Sequence, residues 1–178
     1  SVRPHMTITV GDPAWRKPYT VLLAYSGFCA LLILLAPQEY MPHLPASRSL
    51  ASFSTFPDTT AFCIDAMWLA FPFALAAFSI LAPLKMRQGA GPSNLPILGI
   101  AFIFFGVLAL LVIYLGLFNS PEPGHTTNVT RLVGLASHSK FGLFVAASLY
   151  FSACLTISWL SFVAIPRASL RIRQERGA

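Results

Sequence analysis

The sequence predicts an all-α integral membrane protein, a four-helix bundle with its N- and C-termini on the cytoplasmic side. Three observations predict it. Four apolar runs, at about residues 18–36, 59–84, 96–118 and 141–165, account for most of the 178 residues. Charged residues make up 10% of the chain, against roughly 25% in an ordinary soluble domain. The basic residues are also split unevenly between the two sets of connections. Each run is long enough to cross a hydrocarbon core of ~30 Å. Backbone groups in lipid have to be satisfied within the spanning structure, which leaves helices or a closed barrel. Continuous apolar runs, rather than alternating ten-residue segments, exclude the barrel.

Taken in order, Ser1 to Met6 reads as a cloning remnant, and residues 7–178 as a single four-span domain. A short polar leader carries Asp12-Pro13 and the pair Arg16-Lys17, with no cleavable signal expected after it. The first span opens on Pro18 and stops before Pro37. A connection of about twenty residues follows, rich in proline and serine, with room for a short interfacial segment. Asp58, followed by Thr59-Thr60, is the expected N-cap of the second span. Pro72 should kink that span, and Pro83 should end or bend its last turn. The polar stretch from Gln88 to Asn94 is short, so the second and third spans should be antiparallel neighbours, the third capped by Ser93 or Asn94. A second long connection, Asn119 to Lys140, leads into the fourth span, which Pro166 and a basic tail should end.

Charge sets the orientation. Arg16, Lys17, Lys85, Arg87, Arg167, Arg171, Arg173 and Arg176 fall on one side, and Arg48, Arg131 and Lys140 on the other. Basic flanks resist translocation, so the first set is expected in the cytoplasm, of a bacterial inner membrane, with both long connections outside. The formal net charge of +6 then faces anionic lipid headgroups rather than nucleic acid.

Catalytic chemistry has little to work with. His43, His125 and His138 lie in connections, with no spacing that makes a metal set with Glu39 or Glu122, and no span carries a histidine for haem. Cys29, Cys63 and Cys154 stand singly, without a CxxC pair, and read as small packing residues. Ser137-His138-Ser139 reads as the start of the fourth helix, and Asn128-Val129-Thr130 as a chance sequon. The expectation is a non-enzyme with no cofactor and no metal.

Asp65 is the one ionisable residue inside a span. A carboxylate there is costly to desolvate, so it marks either an ion path or partner contact, or a structural bond to a neighbouring helix or to a loop residue such as Arg131. Two small-residue stripes recur at helical spacing: Ala66, Ala70 and Ala74 on the second span, and Ser148, Ser152 and Thr156 on the fourth. Such faces let helix backbones approach closely, within this bundle or against an external helix.

The strings Ile64-Asp65-Ala66, Phe71-Pro72-Phe73-Ala74-Leu75 and Leu84-Lys85-Met86-Arg87 carry a likeness. So do Arg131-Leu132-Val133, Leu149-Tyr150-Phe151 and Arg171-Ile172-Arg173-Gln174. With four spans and two long outer connections, the chain resembles the immunity proteins of pore-forming colicins, of the colicin A, B and N type. The resemblance implies an inner-membrane protein that binds the toxin's pore-forming domain through helix–helix contacts with its hydrophobic hairpin, and so blocks channel opening. Asp65, Ala66, Ala70, Ala74, Ser148, Ser152, Thr156 and Arg131 are then the candidate partner-binding residues. Two rivals stay open: a non-catalytic accessory subunit of a membrane transporter or redox complex, and a dimeric ion-coupled transporter using Asp65.

Overall fold

The computed structural model describes residues 16–82, 95–118 and 128–177. Several sequence expectations lie outside the described residues: the remnant and leader before Arg16, the Pro83 stop, the basic exit at Lys85 and Arg87, the 88–94 connection with its Ser93 or Asn94 cap, and Glu122 and His125. The side chains of the tail residues Arg171, Arg173 and Arg176 lie outside them too.

Helices α1 (Arg16–Leu35), α3 (Pro57–Leu81) and α4 (Leu95–Phe118) are three of four helices long and apolar enough to cross a membrane. The fourth is α6 (Lys140–Trp159), which runs on through a π-helical turn (Leu160–Ala164) into α7 (Ile165–Gly177). Two short helices, α2 (Pro45–Ala51) and α5 (Asn128–Ala136), lie in the long connections. The chain is a multi-pass membrane protein by these spans.

α1, α3 and α6 pack against one another. Their shared core is Cys29, Cys63, Met67, Phe151, Cys154 and Leu155, each at most 2% exposed. Phe151 is the hub, meeting Tyr25, Trp68 and Tyr150 edge-on at ring-centroid distances of 6.2, 5.4 and 5.3 Å. Such edge-to-face pairs add to dispersion, which is what holds helices together in lipid. Two tyrosines add polar ties between helices: Tyr25 donates to the Met67 carbonyl at 2.8 Å, and Tyr150 to the Val112 carbonyl at 3.1 Å.

Three features differ from the sequence reading. α4 does not lie along α3; its neighbours are α6, the π turn with α7, and α2. Only 6% of its most apolar stretch is buried, against 28% for α3. The short 88–94 connection constrains the distance between helix ends but not which faces meet; α2 packs against both helices, and α4 meets α3 where Gly116 lies against the Trp68 ring. Second, Asp58 sits in the first turn of α3, while Phe56 is the N-cap and makes no side-chain cap; Pro57 occupies the first helical position, where a missing N–H costs nothing. Third, Pro166 does not end the helix. A proline ring clashes with the carbonyl four residues back in an α register. The π turn before it shifts the register, so the Ile165 N–H reaches back to the Leu160 carbonyl, and Pro166 falls in the first turn of α7.

At the other end of α3, Arg167 donates to the Ser79 carbonyl at 3.4 Å, close to the negative end of that helix.

Candidate functional site

The first connection folds back along α3. Ala36 and Pro37 lie beside Pro57, Asp58 and Thr59 at the helix start. Tyr40 stacks edge-on against Phe62 at 5.2 Å, and His43 lies beside Asp65. Asp65 is eight residues beyond Pro57, about 12 Å along the axis at ~1.5 Å per residue. From there α2 leads back, packed between α3 and α4, with Ala46, Ser47 and Ala51 buried. The connection is therefore a re-entrant hairpin, and Pro45 at the first helical position of α2 marks its turning point.

The N–H groups of this folded-back backbone need hydrogen-bond partners. Asp65 supplies them. Its carboxylate accepts the His43 N–H at 2.7 Å, the Leu44 N–H at 3.3 Å and the Tyr40 hydroxyl at 3.0 Å. It sits just before the start of α2, where negative charge also suits the helix dipole. The His43 ring stands 3.6 Å from the carboxylate but is 76% exposed, so their Coulombic attraction is weak. Tyr40 also meets the His43 Nδ1 at 3.3 Å. Burial first, then the carboxylate beside it, push the Tyr40 hydroxyl up to about 12.

The two connections are tied to each other. Ser137 Oγ accepts the Thr55 N–H at 3.3 Å and donates to the Gly134 carbonyl at 3.2 Å. Thr60 pairs with Ser54 at 2.7 Å, which in turn accepts the Phe56 N–H. Ser139 caps α6 by accepting from Gly142 at 2.9 Å, as the Ser137-His138-Ser139 string predicts. Gly142 permits the corner between α5 and α6, because a Cβ there would run into the Ala136 carbonyl.

The eight predicted residues do not form one site. Asp65 is bonded to the hairpin of its own chain, a loop partner as expected but in the first connection; Arg131 lies exposed on α5. Ala66, Ala70 and Ala74 are half-buried, the last two against the core of this bundle. Ser152 and Thr156 are half-buried too, with the Thr156 hydroxyl donating to the Ser152 carbonyl of its own helix at 2.8 Å. The Ser148 hydroxyl, turned toward the Cys29 thiol, is buried without a hydrogen bond of good geometry. Cys29 and Cys63 face each other across α1 and α3, their sulfurs 3.6 Å apart. Among the described residues, no group of three or more His, Cys, Asp or Glu is placed to hold a metal.

What the sequence reading missed is Tyr40 and Ser137. The signal for Tyr40 was available in outline: a carboxylate two turns inside a span needs donors, and a tyrosine and a proline-preceded short helix lie in the adjoining connection. Ser137 had no such signal, since its role depends on the meeting of two segments far apart in the chain. Compared with protein-family models, with curated proteins and with solved structures, the chain matches none.

Proposed function

We propose that this chain is an immunity protein of a bacterial inner membrane, with both termini cytoplasmic, which binds the pore-forming domain of a bacteriocin and prevents channel opening. The observation that carries the reading is the likeness of the short strings at 64–66, 71–75, 84–87, 131–133, 149–151 and 171–174 to the colicin A, B and N immunity proteins, on a chain with four spans. Such a task is recognition without catalysis. The loop end of the bundle suits it: a re-entrant hairpin fixed by Asp65 and a second connection fixed by Ser137 make a shaped surface rather than two loose loops. On this reading Arg131 contacts the toxin directly. The alanine and serine-threonine faces act mainly by holding the surface in place, and Asp65 does so through the hairpin.

The test is to express the chain in cells sensitive to pore-forming bacteriocins and challenge them with a panel spanning the known insertion classes, scoring survival and potassium efflux. Protection against one toxin, reduced by Arg131→Ala, is the expected result. Unchanged killing by every toxin removes the reading. The accessory-subunit alternative draws on α4, whose long apolar face is almost wholly uncovered by this chain. Co-purification of a large membrane complex, with no protection, would establish it instead.

A further inference from the structure

Three side chains with metal-binding atoms meet where the re-entrant hairpin reaches α3. The Tyr40 hydroxyl, His43 Nδ1 and Asp65 Oδ2 form a triangle with sides of 3.0, 3.3 and 3.6 Å. A point equidistant from all three lies about 1.9 Å from each, just inside the ~2.0–2.2 Å of Zn–N and Zn–O bonds. An ion slightly out of their plane therefore reaches all three with no side chain having to move. Tetrahedral ligands at ~2.0 Å stand ~3.3 Å apart, which is the mean of these sides.

Hydrogen bonding alone leaves this arrangement incomplete. With the imidazole neutral and its proton on Nε2, one hydroxyl proton faces two acceptors, the carboxylate and Nδ1. The His43 ring is 76% exposed and free to turn into water, yet it tilts over Tyr40 with centroids 5.7 Å apart. The other two groups are held from behind. Phe62 packs on the Tyr40 ring, and the Asp65 carboxylate, 8% exposed, is oriented by the His43 and Leu44 N–H groups. Pro42, with its fixed φ, stiffens the chain between Tyr40 and His43. Charge is matched too, since a carboxylate and a phenolate together neutralise a divalent cation beside an apolar span. The exposed His43 gives the ion a way in from water.

We propose that Tyr40, His43 and Asp65 form a binding site for a zinc-type divalent metal ion, which clasps the hairpin to α3. The ion takes the carboxylate oxygen, the neutral imidazole Nδ1 and the phenolate oxygen, and the Tyr40 proton passes to water, one for each ion bound. Only two of the three ligands are a histidine or a carboxylate, so the set depends on the tyrosine. The site does not rest on the toxin-recognition reading, and its occupancy is measured without any toxin.

The experiment uses the full chain in phosphatidylcholine nanodiscs, stripped of metal with a chelator, and Zn²⁺ alone as the probe. Equilibrium dialysis with metal analysis gives the stoichiometry, and ultraviolet difference absorbance reads the phenolate. At neutral pH the Tyr40 hydroxyl, pushed up to about 12, keeps its proton unless a metal displaces it. One Zn²⁺ per chain, with a phenolate signal that saturates at the same point, is the expected result. His43→Ala should weaken affinity at least tenfold, and Tyr40→Phe should weaken it and abolish the absorbance change. His43→Ala keeps the backbone N–H that bonds Asp65, so without metal its hairpin should match the wild type in hydrogen exchange. His43→Gln takes its place if that protection falls. Zn²⁺ bound equally by wild type and both variants lies on other groups, and overturns the site. Saturable binding without a phenolate signal, or no saturable binding at all, overturns it as well.

Discussion

Replacing Asp65 by alanine should release the re-entrant hairpin while leaving the spans in place. The carboxylate accepts three hydrogen bonds, from His43 N–H, Leu44 N–H and the Tyr40 hydroxyl. Bonds to a charged group contribute roughly 1.5–3 kcal/mol each when well made. The shortest, from His43 at 2.7 Å, should count in full; the Leu44 bond at 3.3 Å should count for less. Water reaching the exposed His43 recovers part of the loss. So does the desolvation of the carboxylate, which no longer has to be borne. The expected net cost is about 3 kcal/mol for Asp65→Ala and about half of that for Asp65→Asn, which keeps one acceptor oxygen. A loss of ~3 kcal/mol corresponds to a roughly hundredfold drop in local hydrogen-exchange protection. That drop should be confined to residues 43–51, with α1 and α6 unchanged. Mass spectrometry on peptides covering this segment reads it directly. If protection over 43–51 is the same in wild type and Asp65→Ala, the carboxylate is not what holds the hairpin, and its place in the span has to be explained by ions or partners instead.

The Tyr40 hydroxyl gives a pH test. Its folded value, pushed up from 10.0 to about 12, lies above its unfolded value, so its contribution to stability is complete below pH 10 and is lost as pH rises from 10 to about 12. Phenolate absorbance, as wild type minus Tyr40→Phe, should titrate near that upper value, and Asp65→Asn should lower it without returning it fully to 10, because burial is the larger cause. Gly142→Ala should disrupt the α5–α6 corner by about 2 kcal/mol, since its neighbour is the unyielding backbone carbonyl of Ala136; faster exchange in residues 133–144 checks it. Phe151→Ala should lower stability by about 2 kcal/mol, measured by unfolding in mixed micelles. That is less than the 3–5 kcal/mol typical of soluble cores, because in lipid the transfer term largely vanishes and mainly packing is lost.

The spans were legible because hydropathy summed over twenty residues outweighs any local detail: the predicted 96–118 and 141–165 correspond to helices starting at Leu95 and Lys140. Which spans touch was not legible. A helix in water must turn its apolar face inward, so its pattern reveals its neighbour; in lipid every face is equally well accommodated, and α4 is apolar all round. Local rules failed where a distant or compensating element intervened. Pro166 carries every mark of a helix stop, yet the π turn at Leu160–Ala164 absorbs its clash and the helix continues. Asp58 carries every mark of an N-cap, yet Pro57 already occupies the first helical position.

Asp65 shows how far such reasoning reaches. A carboxylate inside a span announces unsatisfied donors nearby, but the residue cannot say whether they belong to water, an ion, a partner or the chain itself. Here they are backbone N–H groups of the chain's own hairpin. The hairpin's N–H groups gain an acceptor and the carboxylate gains donors, so each feature accounts for the other. An intramembrane polar group whose partner comes from its own chain argues for architecture.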